Sequence, residues 1–376
     1  MNKLIISFVL IVIVTVITGV LIFQKSTPPV FISRGLTSNS STSVGVKLAK
    51  LRVSGNRIVT ENGQTIRLRG VVFGDPFLME HDDFDRDGLP DHHFFEKTAD
   101  DFSRVKAMGA NIVRLMIYPG YYRLVGGDKY LATYVDPEVD LAEQNGLYII
   151  LDYHVIGRPG GWYDAPSDGT LQEYPTKVHY TDSVMAVAFW NKVAIRYGQK
   201  KHVLFEIYNE PADDTTDYTW ADWRPTGQLL IDTIRQHSNN IILGSGPKYS
   251  GDLSDVSKNP YNDSNLVYVA HIYPGNVPKG EDQVVAWEKS FGFLSSTYPI
   301  IVTEWGYSPN GDQTTKGTLE NYGKPFLNYL DQKNISWTAF AYHPMDPSQG
   351  QMLLESDFTT LTQFGEFVKK SLENKL

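Results

Sequence analysis

Residues 203–211 read Val-Leu-Phe-Glu-Ile-Tyr-Asn-Glu-Pro, and this run constrains the fold more than any other stretch. It is apolar, β-branched and aromatic, too short for an amphipathic helix, and Pro211 stops it. That pattern predicts a buried strand delivering the Glu210 carboxylate at its C-terminal end. Residues 299–307, Pro-Ile-Ile-Val-Thr-Glu-Trp-Gly-Tyr, have the same grammar and put Glu304 at a strand end. Two strand-end carboxylates so far apart in the chain predict a paired acid site at a mouth.

The chain has 376 residues, 41% hydrophobic and 12% aromatic, enough for one large core. This suits a single barrel of about 250 to 330 residues with appendages. A net charge of −9 argues against nucleic acid as a partner and favours a neutral polymer over a polyanion. The absence of cysteine excludes disulfide frameworks, thiolate catalysis and cysteine-ligated zinc.

From Leu4 to Phe23 the chain carries no charge. About 20 such residues can cross a bilayer core of roughly 30 Å. The exit through Phe23, Gln24 and Lys25 has no Ala-x-Ala-like site, so an uncleaved signal anchor is favoured over a cleaved signal peptide. Residues 26–50, rich in Ser, Thr, Gly and Pro, read as a flexible linker. The expected organisation is a signal anchor or signal peptide at 1–25, a linker at 26–50 and a folded domain at 51–376. An extracellular place follows, membrane-anchored or secreted.

Within 51–376, two alternating runs flank Glu61-Asn62-Gly63 and predict an N-terminal β-hairpin leading into the first long strand. Next comes an acidic insertion in which Asp83, Asp85 and Asp87 alternate around a Gly turn, with Asp91 behind. It is a candidate structural calcium loop; a solvated acidic turn is the alternative. Thr98 with Asp101 predicts a capped helix start, and Gly109 its end. Arg114 lies inside the apolar run 111–117, where a charge is costly unless it faces a carboxylate. Asp136-Pro137 predicts a helix start, and 147–154 a strand ending in Asp152-Tyr153-His154.

The loop beyond carries Gly160-Gly161-Trp162, an aromatic suited to sugar stacking. Residues 183–197 predict an amphipathic helix with Val184, Ala188, Trp190 and Val193 inward. Trp220 and Trp223 are read equally as rim aromatics or as loop packing. Further strands are predicted at 241–244, 266–274 and 335–344, and a last helix with Thr360 as its N-cap. His271 and Tyr273, two apart on a strand, share one face.

Taken together, Leu-Arg-Gly-Val at 68–71, Arg114, Asp-Tyr-His at 152–154, Asn-Glu-Pro at 209–211, His-Ile-Tyr at 271–273 and Thr-Glu-Trp-Gly at 303–306 stand in one order. In this the chain resembles, from about Leu51 onward, the retaining β-glycosidases of glycoside hydrolase family 5. The resemblance implies an α/β fold, a (β/α)8 TIM barrel with the hairpin as a plug. It implies Glu210 as acid/base and Glu304 as nucleophile, with no cofactor for catalysis. Arg114 and Tyr273 would support Glu304, His271 would neighbour Glu210, and His154 and Asn209 would touch the sugar beside the scissile bond. Trp162, Trp305 and Phe340 would add substrate contacts, although Phe340 stands where the family usually has a second tryptophan.

The implied partner is a β-linked polysaccharide or oligosaccharide, and the implied reaction endo-hydrolysis of β-1,4-glucan. A β-mannanase or another β-glycanase shares the same catalytic set. A metal-dependent barrel hydrolase and an inactive surface carbohydrate-binding barrel are the readings of other classes.

Overall fold

The computed structural model describes residues 48–80, 98–161, 178–213, 218–344 and 351–374. The apolar run 4–23, most of the linker, the acidic loop with Asp83, Asp85, Asp87 and Asp91, and Trp162 lie outside the described residues. Among the described residues no helix is long and apolar enough to cross a membrane.

Eight parallel strands close into a barrel: β3 (Arg69–Phe73), β4 (Ile112–Ile117), β5 (Tyr148–Tyr153), β6 (Val203–Glu206), β7 (Ile242–Gly244), β8 (Leu266–Ile272), β9 (Ile300–Trp305) and β10 (Ser336–Ala339). Each pairs with the next in sequence, and β10 closes on β3. Nearly every residue of these strands is buried, as expected where helices cover the outside and side chains fill the inside. This fold is the one the family resemblance implied, and the continuous apolar runs are its strands.

The two-residue period of a strand sorts the side chains. Ile112, Ile150, Leu204, Leu243, Val267, Val269 and Ile301 point inward and form a compact internal cluster. Their outward neighbours, such as Val113, Leu151, Phe205 and Val302, join the larger cluster shared with the helices. Two residues further along the inner face, the apolar layer gives way to Arg114, Asp152 and Glu206, all fully buried. A charged layer therefore rests directly on an apolar floor, at the C-terminal end of the strands.

The N-terminal hairpin closes the other end. Strands β1 (Leu51–Ser54) and β2 (Arg57–Thr60) pair antiparallel, and Leu51 and Ile58 join the internal cluster. The hairpin turn differs from the one expected. It lies at Gly55, whose φ of 60° suits glycine, and the residues around Gly63 form a second turn that brings Thr65 back onto Val59.

Four further local readings are corrected. The α-helix Asp136–Gln144 does begin at Asp136 with Pro137 in its first turn, but Asp136 is not its N-cap, because Leu131–Val135 runs into it as a π-helical turn. The Asp136 carboxylate instead takes hydrogen bonds from Arg196 and Tyr197. In Ser183–Tyr197, Val184 is 78% exposed and Ala188 faces solvent, while Ala186, Phe189, Trp190, Val193, Ala194 and Tyr197 pack inward. The last helix, Gln363–Leu372, is capped by Thr362, because Thr360 is drawn into a turn with Asp357. Trp220 and Trp223 are packing residues on Trp220–Arg235, donating their indole N–H groups to the carbonyls of Asn259 and Ser245. The helix Ala99–Ala107 does carry the Thr98/Asp101 capping box.

Close strand packing makes Gly70 in β3 irreplaceable, since a Cβ there would lie 1.7 Å from the Ile112 carbonyl oxygen. Gly70→Ala is expected to destabilise by about 3 kcal/mol or more, as the obstacle is a buried backbone that cannot rotate away. Urea unfolding checks this, and an unchanged midpoint would contradict it.

Candidate active site

Arg114 is the centre of the charged layer and has no exposure to solvent. Its Nε donates to Glu206 Oε2 at 2.7 Å and its Nη2 to Glu206 Oε1 at 3.0 Å. Nη1 donates to Glu304 Oε1 at 2.8 Å, and Nη2 also reaches Asn209 Oδ1 at 2.7 Å and Asp152 Oδ2 at 3.0 Å. The expectation that this arginine faces a carboxylate is met by three of them.

Glu304 ends β9. Its second oxygen accepts from the Tyr273 hydroxyl at 3.0 Å, so both carboxylate oxygens are held. Glu210 lies just past β6, where the Glu210 N–H still donates to the Val155 carbonyl at 2.9 Å and prolongs the strand pairing. His271 places Nδ1 3.0 Å from Glu210 Oε1 and 3.8 Å from Glu304 Oε2. One oxygen from each of Glu210 and Glu304 lies within 4.8 Å of the other and of a His271 ring nitrogen. A register shift between Ala270 and His271 sets His271 opposite Glu304.

The two carboxyl groups are driven apart in acidity. Burial raises Glu210, and the nearby Glu304 charge adds to this despite the hydrogen bond from His271. Burial would raise Glu304 too, but His271 and Arg114 outweigh it and hold Glu304 below the ordinary value. Glu206 is buried as well, yet the guanidinium and His271 bring it down to about 2. His271 resists burial because Glu304, Glu206 and Glu210 surround it, and it is raised to about 10. Burial pushes Asp152 up against the pull of Arg114. The cations Arg114 and His271 thus stand against the anions Glu206 and Glu304, while burial biases Glu210 and Asp152 towards their protonated forms. Burial and the pull of Glu304 on its proton keep the Tyr273 phenol protonated, as a hydrogen-bond donor must be.

His154 follows β5 and sits 2.6 Å from Asp152 through Nδ1. Burial lowers it to about 3, so the ring is neutral. The rings of Tyr118 and His179 pack edge-on around the same place, Tyr118 against both histidines.

Glu210, His271 and Glu304 could by spacing offer ligands to a metal ion. Their hydrogen bonds suit proton chemistry better, since His271 is cationic and both Glu304 oxygens are engaged by Arg114 and Tyr273.

The structure thus brings Arg114, His154, Asn209, Glu210, His271, Tyr273 and Glu304 together. Trp305 is elsewhere. It is fully buried and packs its indole against Phe326, Trp337 and Phe364 on the outer face of β9, because the strand's alternation turns it away from Glu304. Phe340 stands at the end of β10, partly exposed, against a small cluster with Val72, Met116 and Met352.

Glu206, Thr303 and Tyr249 escaped the sequence reading. Glu206 was legible in principle, for the argument that singled out Arg114 applies equally to a carboxylate among buried strand residues. Tyr249 was not. It lies in three successive left-handed residues, Lys248, Tyr249 and Ser250, with φ of 54°, 59° and 56°. Such backbone costs of order 1 kcal/mol or more per residue and needs outside support. Here the Tyr249 N–H donates to the Pro211 carbonyl, Ser250 Oγ to the Asn209 carbonyl and the His271 N–H to the Ser250 carbonyl. The turn is therefore stitched to the strand ends that carry Glu210 and His271, and it leaves Tyr249 41% exposed.

Residues 74–346 match the cellulase family, glycosyl hydrolase family 5. The chain belongs to this family. An endoglucanase of Clostridium saccharobutylicum is 28% identical over 348 residues, 89% of this chain and 66% of that protein. Endoglucanase C of Evansella cellulosilytica is 26% identical over 366 residues, 89% of this chain and 41% of that protein. The family-5 chain thus spans two thirds or less of these relatives' length. A solved β-glucanase of Saccharophagus degradans in complex with cellotetraose is 27% identical, with a TM-score of 0.72 over 87% of this chain and 94% of that one.

These shifts dictate how stability depends on pH. His271 is raised from 6.5 to about 10, so its contribution is complete below pH 6.5 and is lost as pH rises through 10. Glu206 is lowered from 4.5 to about 2, so its contribution holds above pH 4.5 and is lost as pH falls through 2. His154 is lowered from 6.5 to about 3; the unfolded chain takes up that proton first, and stability falls as pH drops from 6.5 towards 3. Urea midpoints measured across pH 3 to 10 are expected to peak near 6.5. A midpoint still rising at pH 9 would contradict a charged His271.

Proposed function

We propose that this family-5 chain is a retaining endo-β-1,4-glucanase working by double displacement, with Glu304 as nucleophile and Glu210 as acid/base. The observation that carries the reading is the carboxyl pair, with oxygens within 4.8 Å of each other and acidities driven in opposite directions. Retaining enzymes have carboxyl groups about 5 to 5.5 Å apart, and inverting ones need roughly 6.5 Å or more to admit a water between. Glu304, ionised and gripped by Arg114 and Tyr273, attacks the anomeric carbon while Glu210 gives its proton to the departing oxygen. A water then enters, Glu210 takes its proton, and the ester to Glu304 breaks. Two carboxyl groups do this chemistry without a cofactor.

Asn209 spends its Oδ1 on Arg114, which leaves its NH2 to donate to a sugar hydroxyl beside the scissile bond. Neutral His154 offers its other ring nitrogen to the same sugar. Tyr249, held next to the Glu210 strand end, supplies an aromatic face for the sugar on the leaving-group side. The S. degradans β-glucanase complex with cellotetraose supports a β-linked glucan as substrate. Mannan or another β-glycan remains the second reading, since the same acid pair serves any of them. The apolar residues 4–23 support action outside the cell, by an anchored or a secreted enzyme.

Reducing-sugar release from soluble β-glucan, glucomannan, galactomannan and xyloglucan tests the substrate, with glucan expected to be cut fastest. Glu304→Ala is expected to lose at least about 10⁴-fold in kcat while still binding polymer. Release by that variant at the native rate would overturn the assignment. Glu210→Ala is expected to slow glucan far more than an activated aryl glycoside, whose leaving group needs no proton. Tyr249→Ala is expected to raise KM on long oligosaccharides several-fold and to leave aryl glycosides with a small leaving group unaffected. No release from any polymer by the native chain would favour a binding-only barrel.

A further inference from the structure

Glu206 and Thr303 touch neither solvent nor the bowl where sugar would lie, yet both connect to the acid/base residue through His271. His271 Nε2 is 2.9 Å from Thr303 Oγ1, and Thr303 Oγ1 donates to Glu206 Oε1 at 2.9 Å. Glu206 can only accept, because Arg114 donates to both of its oxygens. The single threonine proton is therefore committed to Glu206, and Thr303 Oγ1 must accept from His271 Nε2–H. On the other side of the ring, Nδ1 faces Glu210 Oε1 at 3.0 Å and Glu304 Oε2 at 3.8 Å; with the Glu210 proton on Oε2, where it can reach a departing oxygen, both are acceptors. A ring with an acceptor at each nitrogen is an imidazolium.

We propose that Glu206 and Thr303 are positioning residues for the acid/base step, holding His271 doubly protonated so that its Nδ1–H offsets the charge Glu210 takes on when it releases its proton. The inference rests on the glycosidase reading of Glu210. In the first half-reaction the proton leaves Glu210 for the departing sugar oxygen, and the carboxylate left behind is paired with a cation already in place. In the second, water returns a proton to Glu210. Meanwhile Glu304 is esterified and no longer helps to keep His271 charged. Glu206 takes no part in bond making, so its charge persists through both steps; it acts on the ring across 3.7 Å from Nε2, and Thr303 supplies the hydrogen-bonded link between them.

The charged and titratable groups packed about His271 are Arg114 from β4, Asp152 and His154 at the end of β5, Glu206 and Glu210 from β6, and Thr303 and Glu304 from β9. Tyr273 follows on its own strand. The Arg114 cation opposes a charged His271, neutral His154 adds no charge, and the three glutamates favour it. Thr303 contacts neither Arg114 nor the substrate side, which makes it the place to cut the connection. Valine has its shape without the hydroxyl.

The test is nitrogen NMR on the full chain labelled at histidine, with His271 assigned by comparison with His271→Asn, together with pH profiles on glucan. In the native protein at pH 8, His271 is expected to show both ring nitrogens protonated; a single protonated nitrogen would overturn the proposal without reference to activity or to any variant. In Thr303→Val the ring is expected to turn neutral at pH 8. Glu210 then loses its cation, and the basic limb of kcat/KM moves up by about one pH unit. kcat falls about tenfold at neutral pH, because Glu210 gives up its proton less readily. Thr303→Ser restores all three. An unmoved limb, or a Ser variant that behaves as Val does, would show a merely structural role for Thr303. A native chain inactive on every glycan would refute the glycosidase reading, whereas the protonation state of His271 would still be decided by the spectrum.

Discussion

The structure depends most on one buried guanidinium. Arg114 has no contact with water, and a lone charge in such a place would cost several kcal/mol. It is tolerated because Glu206, Glu304, Asp152 and Asn209 converge on it from neighbouring and opposite strands. The same convergence ties four strand ends to one point, fixing the Glu304 carboxylate to within a hydrogen-bond length. Structural and catalytic demands meet here in one set of bonds.

The floor beneath this layer explains why the bonds are effective. The inward side chains of the preceding positions are aliphatic, and the N-terminal hairpin seals them from below with Leu51 and Ile58. Charges above such a floor see a low dielectric, so partners a few ångströms away shift acidities strongly. The two histidines of the bowl illustrate the result. His271, among three glutamates, is raised to about 10, whereas His154, lowered first by burial and then by the fields of Arg114 and His271, falls to about 3. One residue type supplies a fixed cation at one place and a neutral hydrogen-bonding ring at another.

Loop geometry is subordinate to the same strand ends. The left-handed turn at 248–250 persists because its backbone and Ser250 hydroxyl are bonded to Asn209, Pro211 and His271. Its support comes from the strand ends that carry Glu210 and His271, so the position of the turn is set by them. Trp305 makes the opposite point. It follows Glu304 directly in sequence, yet strand alternation commits it to the helical layer, where it packs against Trp337.

Much of this was legible in order of residues alone. Continuous apolar runs ending in Glu210, Glu304 or His154 could only be buried parallel strands, and a charge inside such a run, Arg114, had to find an acid. Local cues were incomplete: Gly55 makes a hairpin turn of its own ahead of the expected one at Glu61-Asn62-Gly63, and Thr362 took the cap from Thr360, since both outcomes depend on which neighbours are packed nearby. The sequence by itself determined the strand period, the strand-end acids and the family likeness, because these follow from local chemistry and spacing. Only the tertiary structure decided that Glu206 and Thr303 stand behind His271, that the turn at Tyr249 is bonded to Pro211 and that Trp305 turns outward. Those facts depend on contacts between strands dozens of residues apart, and on a register shift that no single segment encodes.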